Sequence, residues 1–579
     1  MLFNHRKRRR LVEEIHPDEI LIDSSNLPEF DRDQMEGRIE RPFGRRSFIA
    51  AGAVVALVLI LLLARAGVLQ LVRGTAYAKM SEDNQLSNQV LFADRGIITD
   101  RNGTPLAYNS RTTMLDTTDS TSTNPTEGDA SSTPQEFATR VYADYRGLAH
   151  VVGYAQPPAK DSYGVYFRNT FLGVDGAEKA FDAQLGGKNG EKLTETDAHH
   201  KTIAESVVND AVPGQQITLS IDADVTQGLY DAIAERAQSS NFQGGAGVLI
   251  DVQTGQILAM TSYPEYSQNA VESGDATVLK QLFSNKQQPF LDRAVDGLYA
   301  PGSIVKPVVG AAALTEGVIS PDKQILSTGS ISLPNQYDPA HPSVFHDWRA
   351  NGWVDVRHAI AVSSDVYFYE VGGGFEGQPG LGVDRLDKYF RMFGFGQDAG
   401  LAGFSSKTGN IPTIAWKAAT FPNDPTWHVG DTYHTAIGQY GMLVTPLQAA
   451  REAAAIANGG TLLTPSVLAS STPQGQKLAI SPDALEVVRE GMRLGVTDGI
   501  AQAVKLDAVH VAAKTGTAQV GMHNEFVNSW MIGFFPYEHP RYAYAVVLER
   551  GPAGTLMGSP AVVGTFLQWM VAHEPQYLH

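Results

Sequence analysis

Between Phe48 and Ala64 the chain reads FIAAGAVVALVLILLLA, without a charge. Continued through Arg65 to Leu71, the stretch is long enough for a tilted helix across a bilayer. A polypeptide there must satisfy its backbone N–H and C=O groups internally. Such a segment divides the chain, because the residues on its two sides fold in different compartments. Arg41, Arg45 and Arg46 lie just in front of the run, which predicts a cytoplasmic N-terminus. A long region ahead of the span, with no small-residue cleavage site behind it, speaks against a cleaved signal peptide. Residues 1–46 are basic at His5–Arg10, then rich in Asp and Glu with Pro17 and Pro28. They are expected to form a largely disordered cytoplasmic tail. Residues 47–71 are the membrane helix, and the chain beyond about residue 75 is expected outside the membrane.

The 579 residues suggest two or three domains. A net charge of −17 disfavours a nucleic-acid partner. With no cysteine in the chain, disulfides, thiolate metal sites and cysteine nucleophiles are excluded.

Past the membrane run, residues 76–222 hold a strand-like stretch at 90–98 and a hairpin turn at Asn102-Gly103. Residues 117–135, TTDSTSTNPTEGDASSTPQ, read as a flexible linker, and 214–222 as a strand. From Asp224 the pattern is α+β. An amphipathic helix is predicted over 224–238 and a hairpin over 245–264, turning at Thr254-Gly255. A mainly helical stretch comes next over 298–460, with strands at 508–520, 527–537 and 541–550 and a last helix over 560–573. This order predicts one antiparallel sheet flanked by helices, with an inserted helical lobe.

Inside this frame, LYAPGSIVKPVVGAAALTEG places Ser303 where a helix from Ile304 to Gly317 would begin, with Lys306 one turn on. A serine at a helix start beside a desolvated lysine is a nucleophile with a base, without histidine. A lone Ser-x-x-Lys is common by chance. Two further pieces accompany it: Ser363-Ser364-Asp365 at a break before an aromatic helix, and Lys514-Thr515-Gly516-Thr517 on a strand. Together they supply what acyl transfer needs. Ser303 is the nucleophile, Lys306 the base and Ser363 a proton relay. Asp365 sets the charge of Lys306 and Lys514. Thr515 and Lys514 suit a terminal carboxylate, and Gly516 leaves the strand open to an acyl-peptide. The N–H groups of Ser303 and Thr517 are candidates for an oxyanion hole.

In order and character these motifs match the set S-x-x-K, S-D-N and K-T-G, with Asp365 where the set has Asn. The chain resembles class B penicillin-binding proteins, nearest their elongation (penicillin-binding protein 2) branch. RGIITDRNGTPLA (Arg95 to Ala107), RAVDGLYAPGSIVKP (Arg293 to Pro307), SSDVYFYE (Ser363 to Glu370) and HVGDTYHTAIGQYGMLVTPLQAA (His428 to Ala450) carry that likeness. The resemblance implies a penicillin-binding/β-lactamase-like transpeptidase domain over 224–579, behind a small, mostly β pedestal over 76–222. It implies a D,D-transpeptidase that cross-links peptidoglycan stem peptides, is acylated by β-lactams, and works with a SEDS-family glycosyltransferase in the inner membrane. It calls for no cofactor.

The likeness has three departures. The pedestal is short, with the 117–135 linker where an insertion is usual. Tyr440 stands where a glycine usually follows Gly438-Gln439. Some elongation-branch members hold zinc with a cysteine that this chain lacks, so Asp338, His341, His346 and Asp347 are read as loop polarity and no metal is expected. Two other readings share the motifs. One is a β-lactam sensor, which would carry more membrane spans or a cytoplasmic effector. The other is a catalytically weak scaffold regulating its glycosyltransferase. A slow hydrolase such as a carboxypeptidase or β-lactamase stays within the same chemistry, though a β-lactamase needs no pedestal.

Overall fold

The computed structural model describes residues 45–75, 86–110, 137–163, 165–196, 202–334, 338, 340–555 and 557–579. The linker at 117–135, and the N-terminal tail up to residue 44, lie outside them. Two compact units emerge: residues 1–87 with 196–201, and residues 88–195 with 202–579. The first is the helix α1 (Arg45–Gly67), which runs on into a π-helical turn at Val68–Val72. Ile49–Val72 is long and apolar enough to cross a membrane.

In the second unit a four-stranded sheet comes first: β1 (Ile98–Thr99), β2 (Pro105–Ser110), β3 (Thr139–Tyr142) and β4 (Ile217–Thr218), in the order β4-β1-β2-β3. The Asn102-Gly103 turn joins β1 to β2. Asp100 Oδ1 accepts the N–H groups of Asn102 (2.9 Å) and Thr104 (2.8 Å) across it. The strand expected over 90–98 is interrupted, ending at Leu91 and resuming at Ile98. Between them Arg95 is buried, donating to Glu178 (2.5 Å) and Asp182 (2.7 Å), while Arg140 reaches Glu178 at 2.7 Å. A ladder residue would point its side chain alternately up or down; here the chain leaves the ladder and delivers this guanidinium to its carboxylates.

The catalytic-candidate sheet has five antiparallel strands in the order β6-β5-β13-β12-β11. They are β5 (Gly244–Asp251), β6 (Ile257–Tyr263), β11 (Ala512–Val520), β12 (Phe526–Phe535) and β13 (Tyr542–Pro552). Successive residues fall into different cores. Trp530, Ile532 and Phe534 face one, with Ala543, Ala545 and Val547. Met531 and Phe535 face the other, with Tyr544, Val546 and Leu548. Both faces being covered, the strands read as nearly continuous apolar runs. Helices α2 (Ala223–Ser239) and α7 (Ser559–His573) cover one face, and α6 (Pro446–Ala457) the other. The stretch expected to be mainly helical also holds two small hairpin sheets. In them β7 (Ile325–Ser327) pairs with β10 (Gly352–Val354), and β8 (Ser330–Leu333) with β9 (Ser343–His346). Strands of three or four residues are too short for alternation to register.

Helix α6 is buried along its whole length. It includes Glu452, fully buried, with both carboxyl oxygens lacking a hydrogen-bond partner among the described residues. Burial raises its pKa well above the ordinary carboxyl value. Between the unfolded and folded pKa values the native state holds the extra proton, so stability falls as pH rises above about 4.3. Thermal unfolding across pH should show that decline in the wild type and a flatter curve in Glu452→Gln. Glu452→Met should be more stable by about 1–3 kcal/mol near neutral pH. A less stable Met variant would show that the carboxyl has a partner.

Candidate active site

Ser303 belongs to a 3-10 turn, Gly302–Val305, and helix α3 (Lys306–Thr315) begins only after it. The predicted start at Ile304 is therefore late-shifted, and Pro307 is the cause. In an α-helix the Ser303 carbonyl would meet the N–H of residue 307, which proline lacks. The Lys306 N–H takes that carbonyl instead, closing a tighter turn.

The turn is pinned from two sides. Gly302 N–H donates to Gly438 O at 3.0 Å, and Trp530 Nε1 donates to Ala300 O at 2.9 Å. Gly302 lies at φ +56°, and a Cβ there would come within 2.8 Å of the Thr517 carbonyl oxygen. A Cβ on Gly516 would lie 2.8 Å from Ile304 Cγ2 and 2.9 Å from Pro301 O. The bare Cα of Gly516 thus faces the serine turn rather than an incoming peptide. Access for a peptide comes from the place of β11 at the sheet edge.

Ser363 ends helix α4 (Val356–Val362) in the left-handed conformation, φ +59°. Ser364 caps helix α5 (Asp365–Gly373), accepting the Tyr367 N–H. Lys306 Nζ donates to Ser363 O at 2.8 Å, Ser363 Oγ at 3.2 Å and Asp365 Oδ1 at 2.6 Å. Lys514 Nζ donates to the same Ser363 Oγ at 2.8 Å and to Thr515 O at 2.7 Å. Four of the five predicted catalytic side chains thus form one bonded cluster. Ser303 lines the same cavity, about 400 Å³, with Ser363, Asp365, Thr515, Gly516 and Thr517. The hydrogen bonds of Lys306 go to the second motif, not to Ser303.

Two buried lysines here face one carboxylate. Burial, then the neighbouring Lys306, push Lys514 well below the ordinary lysine range, against the pull of Asp365. The acceptor count agrees. Two acceptors around Lys514 Nζ suit a neutral amine, which keeps a lone pair.

Sequence reasoning passed over Trp348, Ile500, Ser529, Met557 and Pro560, which complete the cavity wall. Trp348, about half exposed, donates from Nε1 to Val362 O at 3.1 Å. An aromatic in a polar loop was a usable signal for it; the others carry no local pattern. His341 hydrogen-bonds Asp338 at 2.8 Å, while Asp347 turns inward under Ser364. Among the described residues no group of three or more His, Cys, Asp or Glu is placed to hold a metal ion. Tyr440 sits at φ +60°, keeping a backbone turn natural to glycine. Its ring stacks on Phe421 and meets Trp416 and Trp427 edge-on.

Comparison with known proteins places this geometry. The family model of the penicillin binding protein transpeptidase domain matches residues 245–568, and that of the penicillin-binding protein dimerisation domain matches 130–219. The chain is 29% identical to the peptidoglycan D,D-transpeptidase MrdA of Haemophilus influenzae, over 73% of this chain and 68% of that protein. It is 27% identical to MrdA of Escherichia coli K12, over 92% and 94%. A solved structure described as showing structural coordination of polymerization and crosslinking by a peptidoglycan synthase complex superposes with a TM-score of 0.68. It has 27% identity and covers 90% of this chain and 98% of its own.

The tight seat of Gly302 makes a direct test. Gly302→Ala combines the left-handed penalty of about 1–2 kcal/mol with overpacking of about 1–3 kcal/mol against a backbone oxygen. A loss of about 2–5 kcal/mol is expected in denaturant unfolding. An unchanged midpoint would mean that the turn and β11 are not in firm contact.

Proposed function

The chain belongs to the family of penicillin-binding protein transpeptidases, and from that premise we propose that it is a membrane-anchored peptidoglycan D,D-transpeptidase of cell-wall elongation, with Ser303 as its nucleophile. The observation that carries the assignment of residues is the convergence of Lys306, Ser363, Asp365 and Lys514 around the cavity that Ser303 lines.

A stem peptide ending in D-Ala-D-Ala lies along the free edge of β11 as an added strand. Its terminal carboxylate is met by Thr515 and the Lys514 side of the cleft. Ser303 Oγ attacks the carbonyl carbon of the penultimate residue, and the N–H groups of Ser303 and Thr517 receive the oxyanion. The proton leaving Ser303 enters the lysine pair. Lys306 and Lys514 share Ser363 Oγ, so a proton taken up at one lysine is relayed to the other along those bonds. The sequence reading made Lys306 the base alone; the pair is the better description. The proton returns to the leaving nitrogen as the peptide C–N bond breaks and D-Ala departs. An acceptor amine on a neighbouring strand then attacks the acyl-enzyme, loses its proton to the same pair, and forms the new amide as Ser303 is released. Penicillins acylate Ser303 by the first half of this sequence.

Arg41, Arg45 and Arg46, ahead of the apolar run, favour an N-terminus in the cytoplasm and a transpeptidase domain outside. A SEDS-family glycosyltransferase is the membrane partner. The comparison structure whose description joins polymerization to crosslinking supports that pairing.

Labelling of the full chain with a fluorescent penicillin tests the assignment. Ser303→Ala should abolish labelling in a folded protein; normal labelling would sink it. The acylation rate should fall as pH drops through the depressed pKa of Lys514. Asp365 favours the charged form of Lys514, so Asp365→Asn lowers that pKa further and should move the acid limb to lower pH. If the limb stays where it was, Asp365 is not coupled to the base.

A further inference from the structure

Asp347 comes directly after β9, is buried, and none of the roles assigned so far uses it. Its carboxylate collects five donors. Oδ2 accepts Ser364 Oγ at 2.7 Å, Ser327 Oγ at 3.0 Å, Val366 N at 3.1 Å and Asn351 Nδ2 at 3.2 Å. Oδ1 accepts Trp348 N at 2.8 Å. The backbone of the loop is itself fixed: Asp347 N donates to Gly329 O at 2.8 Å, and Asn351 N to Ser327 O at 3.1 Å. Two more bonds tie the same segment to the second motif, Trp348 Nε1 to Val362 O at 3.1 Å and Tyr369 OH to His346 O at 3.1 Å. Residues 346–348 therefore grip the chain just before Ser363 and just after Asp365.

That grip falls where the backbone has most need of it. Ser363 holds a left-handed conformation that a serine adopts only at a cost, and it persists where surroundings over-determine it. Ser364 Oγ serves in two bonds, donating to Asp347 and accepting the Tyr367 N–H that starts α5. Val366 N, a free donor of that first turn, ends on the same carboxylate, and an anion is favoured at a helix start. Asp365 is bracketed by these two contacts.

We propose that Asp347 is a positioning residue of the transpeptidase reaction. Through Ser364 and the first turn of α5 it fixes Ser363 and Asp365, and so sets the lysine pair in register for Ser303. The proposal rests on the transpeptidase reading above. A carboxylate is required, because an asparagine turned either way sets amide N–H groups against some of the five donors. The effect falls on the chemical step, since Asp347 does not line the cavity, whereas Trp348 beside it does.

The test is stopped-flow acylation of the full-length protein in detergent by a fluorescent penicillin, separating the saturating rate constant from the half-saturating concentration. Asp347→Asn should lower the rate constant at least tenfold, leave the half-saturating concentration within about threefold, and preserve the circular dichroism spectrum. Such a split is how loss of a transition-state arrangement reads, as opposed to loss of ground-state binding. Ser364→Ala should lower the rate constant by a smaller factor. The double variant should fall short of the product of the two, because both act through one contact. A wild-type rate constant in folded Asp347→Asn overturns the proposal. So does a smaller labelled fraction reacting at the wild-type rate, which is loss of fold alone, and so does a strictly multiplicative double variant. Should Asp347→Asn not fold, Ser364→Ala carries the test, and a wild-type rate constant there overturns the proposal. Failure of the wild type itself to be labelled, or labelling of Ser303→Ala, overturns the transpeptidase reading instead.

Discussion

Two lysine side chains meeting on one serine oxygen set the terms for the rest of the catalytic domain. Lys306 and Lys514 both reach Ser363 Oγ, and both are almost completely buried. At an effective dielectric near 20, two unit charges about 6 Å apart repel by about 3 kcal/mol, before any cost of removing them from water. Asp365 is bonded to Lys306 and also pulls Lys514 toward its charged form, but at Lys514 burial and the neighbouring Lys306 outweigh it. Burial, then Lys306, drive the pKa of Lys514 down. A water-filled cleft would screen both terms and leave two ordinary ammonium groups. Reactivity here is a property of burial, and burial requires a rigid wall on every side.

Strained backbone supplies much of that wall. Gly302, Ser363 and Tyr440 hold φ near +60°, at the nucleophile turn, the second motif and the loop after Gly438. Only the first is a glycine, and the other two carry about 1–2 kcal/mol each of left-handed penalty. Tyr440 offsets its share with three aromatic neighbours, one stacked and two edge-on. Ser363 is held by the lysines on one side and by the neighbours of Ser364 on the other. Consistency of local and global preference breaks down at these positions, as it does where function rather than stability selects the conformation.

Much of this was legible without coordinates, for identifiable reasons. The five-stranded sheet could be read because its strands are long, apolar and bounded by turns, and helix α2 because Asp222 caps it and its apolar residues recur on one face. All eight candidate site residues could be named because three motifs carry them, and the chain brings them together around one cavity. What could not be read depends on contacts distant in sequence or on a single missing atom. No period announces strands of three residues such as Ile325–Ser327. The 3-10 turn at Ser303 depends on the absent N–H of Pro307. The role of Gly516 became visible only when the serine turn was seen against it. Asp347 looked like loop polarity because its donors come from three separate stretches, at 327, at 348–351 and at 364–366.

The same geometry explains why the site binds openly yet reacts in a confined place. Strand β11 is the sheet's edge, with Lys514, Gly516 and Ala518 turned inward and Thr517 exposed at the rim. An edge left free invites pairing with other chains, and proteins blunt that risk by keeping such edges short and polar. Thr515, Thr517 and Gln519 keep this edge wettable, so a peptide laid along it exchanges water for main-chain bonds with little net gain. On the transpeptidase reading proposed above, selectivity then comes from what the strand's register presents to Ser303, not from tight docking. In the unfolded chain Ser303, Ser363 and Lys514 are distant and both lysines are solvated. The charge conflict between the two lysines exists only once the sheet edge has closed against the helical lobe. Folding energy from the two cores is what holds that conflict in place, and a turn that loosens at Ser363 lets water in and dissolves it.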